Sequence, residues 1–127
     1  MAASENLGVI TYSPVAGGLL TGKYITDKPV SIGRFMENKE YSKRYGDALI
    51  RATVGKLIQF AKEHDYSAAA LAVAWAGRHP AVTAPIIGAR NIDQLEDSLK
   101  SLDIDMTDVL YKQVCGLSVT PPLATDR

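Results

Sequence analysis

Apolar and polar residues follow one another along this chain with a spacing that changes from segment to segment. Leu7 to Tyr12 (LGVITY) is a short apolar, β-branched run that stops at Ser13-Pro14, and it predicts a buried strand. Residues 13 to 47 hold Gly17, Gly18, Gly22, Pro29, Gly33 and Gly46 without sustained periodicity, which predicts a long loop of the kind that carries function. From Ala48 to His64 the period becomes helical, with Val54, Leu57, Ile58 and Ala61 on one face. Ser67 is placed to N-cap a second helix, whose face carries Ala68, Leu71, Ala72 and Trp75 and which Pro80 closes. Thr83 to Gly88 (TAPIIG) predicts another short buried strand.

Directly after it, Asn91 and Gln94 have the spacing of an N-cap and its capping-box partner. The helix they open puts Ile92, Leu95, Leu99 and Leu102 on one stripe. Thr107 can cap a last helix with Val109, Leu110, Val114 and Leu117 as its apolar positions. Residues 119–127, with Pro121 and Pro122, are expected to be a tail beyond a domain of residues 1–118. The order is strand, loop, two helices, strand, two helices, with no internal repeat. Such βα units build parallel sheets with helices outside, so the fold class is α/β. A closed (β/α)8 barrel takes about 250 residues, and two strands cannot make a sheet covered on both faces. The 127 residues therefore predict a portion of such a barrel, incomplete on its own.

Composition narrows the function classes. The chain is 46% hydrophobic and has a formal net charge of zero, which supports a real core and argues against a nucleic-acid partner. Cys115 is the single cysteine, so no disulfide can form within the chain, in keeping with a reducing cytoplasm. Met1 to Gly8 lacks the basic start and apolar core of a signal peptide. No apolar run approaches the roughly 20 residues of a membrane helix.

One stretch comes close to a known phosphate motif. Gly17 to Lys23 matches the glycines and lysine of a P-loop, but Tyr24 stands where the magnesium-binding Ser or Thr belongs. A P-loop also needs a helix directly after its lysine, whereas Tyr24 to Ser31 has the composition of a loop. The match lacks its structural context. The second strand end is more informative. Gly88-Ala89-Arg90-Asn91 joins a strand to a capped helix, which offers backbone N–H groups, a positive helix end and a guanidinium to an anion. Ser13, the amides through Gly17 and Gly18, and Lys23 add to it from the first strand end. Loops after neighbouring strands of a barrel commonly form such a phosphate site.

These residues carry a resemblance. LGVITYSPVAGGLLTGKY and SAAALAVAWAGRHPAVTAPIIGARNIDQLEDSL together resemble the C-terminal part of an aldo-keto reductase, over residues 7 to about 118. The resemblance implies the seventh and eighth strands of a TIM barrel with NADPH across its rim. It implies that Tyr12 stacks on the nicotinamide, that Ser13, Pro14, Val15 and Gly18 lie against the pyrophosphate, and that Lys23 and Arg34 clasp it. Gly88, Ala89 and Arg90 would surround the 2′-phosphate and its ribose, and Gln94, Asp97 and Ser98 would face the adenosine. Val15 replaces the usual Leu, and Ser98 replaces the usual Asn.

The family's catalytic tyrosine, lysine, aspartate and histidine belong to its first four strands, which are not represented here. No catalytic role passes to Tyr24, Tyr41, Tyr45, Tyr66 or Tyr111, and the chain alone is expected not to reduce carbonyls. His64 and His79 fall at helix ends as capping or solvated residues, Trp75 is expected in the core, and Cys115 as a small, part-buried apolar residue. Lys39 to Arg44 reads as a solvated charged surface. Two functions stay open: the cofactor-holding part of an enzyme acting on a small carbonyl substrate, and a half-barrel module that pairs with a missing N-terminal half or with itself.

Overall fold

Parallel strands cannot be joined by a tight turn and need a crossover of a dozen residues or more. The computed structural model, which describes residues 1–25, 39 and 47–119, has such a crossover. Strand β1 (Ile10–Tyr12) is followed by a short 3-10 helix (Ala16–Thr21), then α1 (Ala48–Glu63) and α2 (Ala68–Arg78). Strand β2 (Ala84–Ile86) leads into α3 (Ile92–Leu99), a 3-10 turn (Lys100–Asp103) and α4 (Asp108–Cys115). The strands pair in parallel, Ile10 with Ala84 and Tyr12 with Ile86. Arg34, Tyr41, Tyr45, the charged run beyond Lys39 and the proposed tail after Val119 lie outside the described residues.

Side-chain caps set the helix starts. Asp47 accepts the Leu49 N–H at 2.6 Å, Ser67 the Ala70 N–H at 3.3 Å, Asn91 the Gln94 N–H at 3.0 Å and Thr107 the Leu110 N–H at 3.2 Å. Helix α2 stops one residue short of the position before Pro80, where His79 is extended as a pre-proline residue must be. The core gathers Leu57 and Ala61 of α1, Leu71 and Ala72 of α2, and Met106, Leu110 and Val114 of the C-terminal segment. Leu71 is fully buried, which favours the folded chain by about 2 kcal/mol.

Several expectations are corrected. Both strands are shorter than the apolar runs Leu7–Tyr12 and Thr83–Gly88. At their start the Val9 N–H turns to the Thr83 hydroxyl at 3.0 Å, so a side chain replaces a ladder partner. The strands are also not buried on both faces. Pro85 lies against Gly77 of α2, but Ile10, Tyr12 and Ile86 point the other way and stay exposed. The predicted loop after β1 contains the 3-10 helix, anchored by buried Leu19.

The helical stripes divide in the same manner. On α1, Val54, Leu57 and Ala61 are buried as the spacing predicts. On α3 and the turn after it the stripe Ile92, Leu95, Leu99 and Leu102 is exposed, and Ser98 is the residue turned inward. Trp75, expected in the core, is exposed at its edge, stacked on Tyr111 at 6.1 Å and donating Nε1–H to Cys115 Sγ at 3.2 Å.

Candidate functional site

Because β1 and β2 are parallel and in register, their C-terminal ends lie side by side. The chain leaves β1 through Ser13 and β2 through Ile87, and a groove of about 710 Å³ opens between the two exits. Tyr12, Ser13, Pro14, Val15 and Gly18 line it from the first exit, and Lys23 reaches it from beyond the 3-10 helix. Gly88, Ala89 and Arg90 line it from the second exit, and Gln94, Asp97 and Ser98 from α3. Every predicted site residue that the structure describes thus meets in one cleft. Gly17 and Asn91, placed by the sequence in the two anion-friendly turns, also line it, and Thr21, Ala69, Asp93 and Lys100 line it without having been anticipated as site residues. Lys100 had a legible signal, since it stands three residues after Asp97 at the end of the helix.

The first exit is wound tightly. Ser13, Ala16, Gly17 and Gly18 all have positive φ, at 59°, 49°, 66° and 92°. For Ser13 and Ala16 this is a left-handed conformation that costs of order 1 kcal/mol and is concentrated at functional sites. The winding also uses up amides. Ala16 N–H donates to the Ser13 carbonyl and Gly18 N–H to the Val15 carbonyl, both at 2.9 Å. The Gly18 amide expected to cradle a phosphate is therefore committed within the loop. What Gly18 supplies is room: a Cβ there would stand 3.2 Å from Lys23 Nζ, so the absent side chain lets the ammonium fold over the loop. The same ammonium lies 4.9 Å from the centre of the Tyr24 ring.

The second exit is organised by its caps. Gln94 Oε1 accepts the Arg90 N–H at 3.1 Å, so a side chain takes one of the amides expected to meet an anion, while Asn91 Oδ1 accepts the Gln94 N–H as the predicted cap. Ser98 is buried and its hydroxyl donates to the Gln94 carbonyl at 3.0 Å, leaving only acceptor capacity toward the groove. Gly88 differs from the other site glycines. Its φ is not positive, and a Cβ there would meet no atom within 4 Å. Neither backbone nor packing requires glycine at this position, which leaves open space on the groove wall.

The groove carries three cationic and two acidic side chains. Lys23, Arg90 and Lys100 line the groove with Asp93 and Asp97, and the exposed Tyr12 ring stands at its mouth. Tyr12 is the only tyrosine among the described residues to line it. His64 and His79 are remote helix-end residues, with His64 Nδ1 2.8 Å from the Phe60 carbonyl and His79 Nδ1 accepting the Ala81 N–H. Among the described residues no group of three or more His, Cys, Asp or Glu could hold a metal ion, and no helix is long and apolar enough to cross a membrane.

The fold is a parallel βα arrangement whose cleft at the strand ends carries Lys23, Arg90 and Lys100 beside Asp93 and Asp97, and sequence comparison supplies the family. The Aldo/keto reductase family profile matches residues 1–118. The chain is 34% identical to an uncharacterized oxidoreductase, YrpG, of Bacillus subtilis over 89% of its length and 32% of that protein. It is 32% identical to an aldo-keto reductase of Babesia bovis, over 87% of its length and 40% of that protein. It is 37% identical to a probable voltage-gated potassium channel subunit beta of rice, over 80% of its length and 32% of that protein. The chain belongs to the aldo/keto reductase family and spans about a third to two fifths of the length of these relatives.

Proposed function

We propose that this chain is the C-terminal, dinucleotide-holding portion of a (β/α)8-barrel oxidoreductase that acts on a small aldehyde or ketone with NADPH. The observation that carries the reading is the single groove at the paired strand ends, into which the candidate residues of β1, β2 and α3 converge. Gly88 supports the fit, because its missing side chain serves no neighbour and leaves room for a ligand to approach the backbone. Hydride transfer is the chemistry that the bound cofactor supplies. This chain's residues position and neutralise it.

In this reading Tyr12 offers its exposed ring face to the nicotinamide, with Ser13, Pro14, Val15 and Gly18 forming the wall beside the pyrophosphate. Lys23, and Arg34 from outside the described residues, neutralise that anion. Gly88, Ala89 and Arg90 receive the 2′-phosphate and ribose, and Gln94, Asp97 and Ser98 the adenosine. The proton donor belongs to the family's earlier strands, so the 127-residue chain is expected to leave NADPH unoxidised when offered an aldehyde. Turnover by material free of host reductases would contradict that.

The cofactor assignment is tested by titrating NADPH and NADH, each followed by its own fluorescence. Arg90→Ala is expected to weaken NADPH about tenfold, the scale of a lost charge-assisted hydrogen bond, and NADH much less. Equal loss for both would sink the 2′-phosphate role of Arg90.

A second reading, an assembly module without catalysis, draws on a different observation. The α3 stripe and the open face of the strands expose Ile10, Ile86, Ile92 and Leu99 on a chain with no net charge. Exposed apolar residues gathered on a strand face and along a helix are the material of an interaction face. The rice relative, named as a channel subunit, makes an assembly role a reasonable companion to cofactor binding.

A further inference from the structure

The wall of the groove at Asp97 is built from behind. Ser67, the N-cap of α2, does not line the groove, yet its hydroxyl donates to Asp97 Oδ2 at 2.9 Å across thirty positions of sequence. Ser67 Oγ also accepts the Ala70 N–H at 3.3 Å, so the hydroxyl's single proton and one of its lone pairs are both assigned. Asp97 Oδ1 lies 3.5 Å from Lys100 Nζ. Each carboxylate oxygen thus has one partner and keeps a lone pair for a ligand. A carboxylate tethered at both oxygens is a directed acceptor. It can take an N–H from the ligand and repels a carbonyl oxygen placed at the same point.

We propose that Ser67 is a positioning residue of the nucleotide groove, holding the Asp97 carboxylate so that it selects an amino-bearing purine over an oxo-bearing one. The proposal rests on the reading of the groove as a dinucleotide site. It assigns Ser67 a role beyond capping, because a cap needs only an acceptor oxygen, whereas the bond to Asp97 needs the hydroxyl proton.

The test uses the 127-residue chain with NADPH and its hypoxanthine (deamino) analogue, in parallel with urea unfolding. The unmodified chain is expected to prefer NADPH over the deamino analogue. Ser67→Thr keeps cap and donor and should keep that preference. Ser67→Asp keeps a good cap, so unfolding should change little, but it sets a second carboxylate against Asp97. It should weaken NADPH about tenfold and erase the preference. Ser67→Ala should weaken NADPH in the Asp97 background and add nothing once Asp97 is alanine. The double-mutant comparison decides the matter if Ser67→Asp proves unstable. Full preference retained in Ser67→Asp and Ser67→Ala, or additive losses in the double mutant, would reduce Ser67 to a helix cap and overturn the proposal. Failure of the unmodified chain to bind either dinucleotide would instead overturn the reading on which the proposal rests.

Discussion

Gly88 lines the groove, and a Cβ there would meet no protein atom within 4 Å. Replacing glycine by alanine at a position whose φ is compatible should stabilise the fold by about 0.4–1 kcal/mol, through the unfolded chain. Stability and binding are therefore expected to move in opposite directions in Gly88→Ala. Gly18→Ala should behave otherwise, losing both, because its φ of 92° disfavours a side chain and Lys23 occupies the space. Away from the site, burial and the neighbouring Cys115 thiol push the Tyr111 phenol above its ordinary 10.0, with Arg78 opposing. The folded chain holds that proton more tightly than the unfolded chain does. The resulting stability is intact below about pH 10 and is lost as pH rises through the folded value. Tyr111→Phe should flatten this alkaline loss in unfolding experiments, and an unchanged slope would exclude Tyr111 as its source. The residues that line the groove were legible because two long blocks of sequence matched a family pattern. The commitments of the Gly18 and Arg90 amides were not legible, since side-chain caps and positive φ compete locally for the same N–H groups.

Among the elements, caps proved the most legible feature, because Ser67, Asn91 and Thr107 act through bonds to residues only three positions away. Asn91→Ala should cost about 1 kcal/mol of stability, and it should also loosen the turn around Arg90. Leu71→Ala, in the fully buried centre of α2, should cost about 2–5 kcal/mol, as measured by urea unfolding. Periodicity located the apolar stripes but could not say what each stripe meets. Helix α1 turns its stripe to α2 and to the core, whereas α3 is tied to the start of α2 through the Ser67–Asp97 bond, buries Ser98 and leaves Leu95 and Leu99 outside. Trp75 was misplaced for a related reason. Arg78 bonds the Met106 carbonyl and pairs with Asp108, which brings α4 against the last turn of α2 and seats the indole at the edge beside Tyr111.

For the whole molecule, the two strands present an open face and α3 an open stripe. Under the assembly reading the isolated chain should self-associate through these surfaces. Leu99→Glu should then shift it toward monomer in sedimentation, whereas a wild-type chain already monomeric at high concentration would contradict that reading. The parallel pairing and its order of helices were legible from βα alternation. The half-open strands were not, because a short apolar run looks the same whether one face or both are covered. The central claim is that the groove at the strand ends receives a phosphorylated dinucleotide, and NADPH fluorescence titration of the wild-type chain beside Gly88→Ala tests it most directly. Saturable binding to the wild type, weakened roughly tenfold in a variant at least as stable, is the predicted result. Absence of saturable binding, or equal affinity in the two proteins, would contradict it.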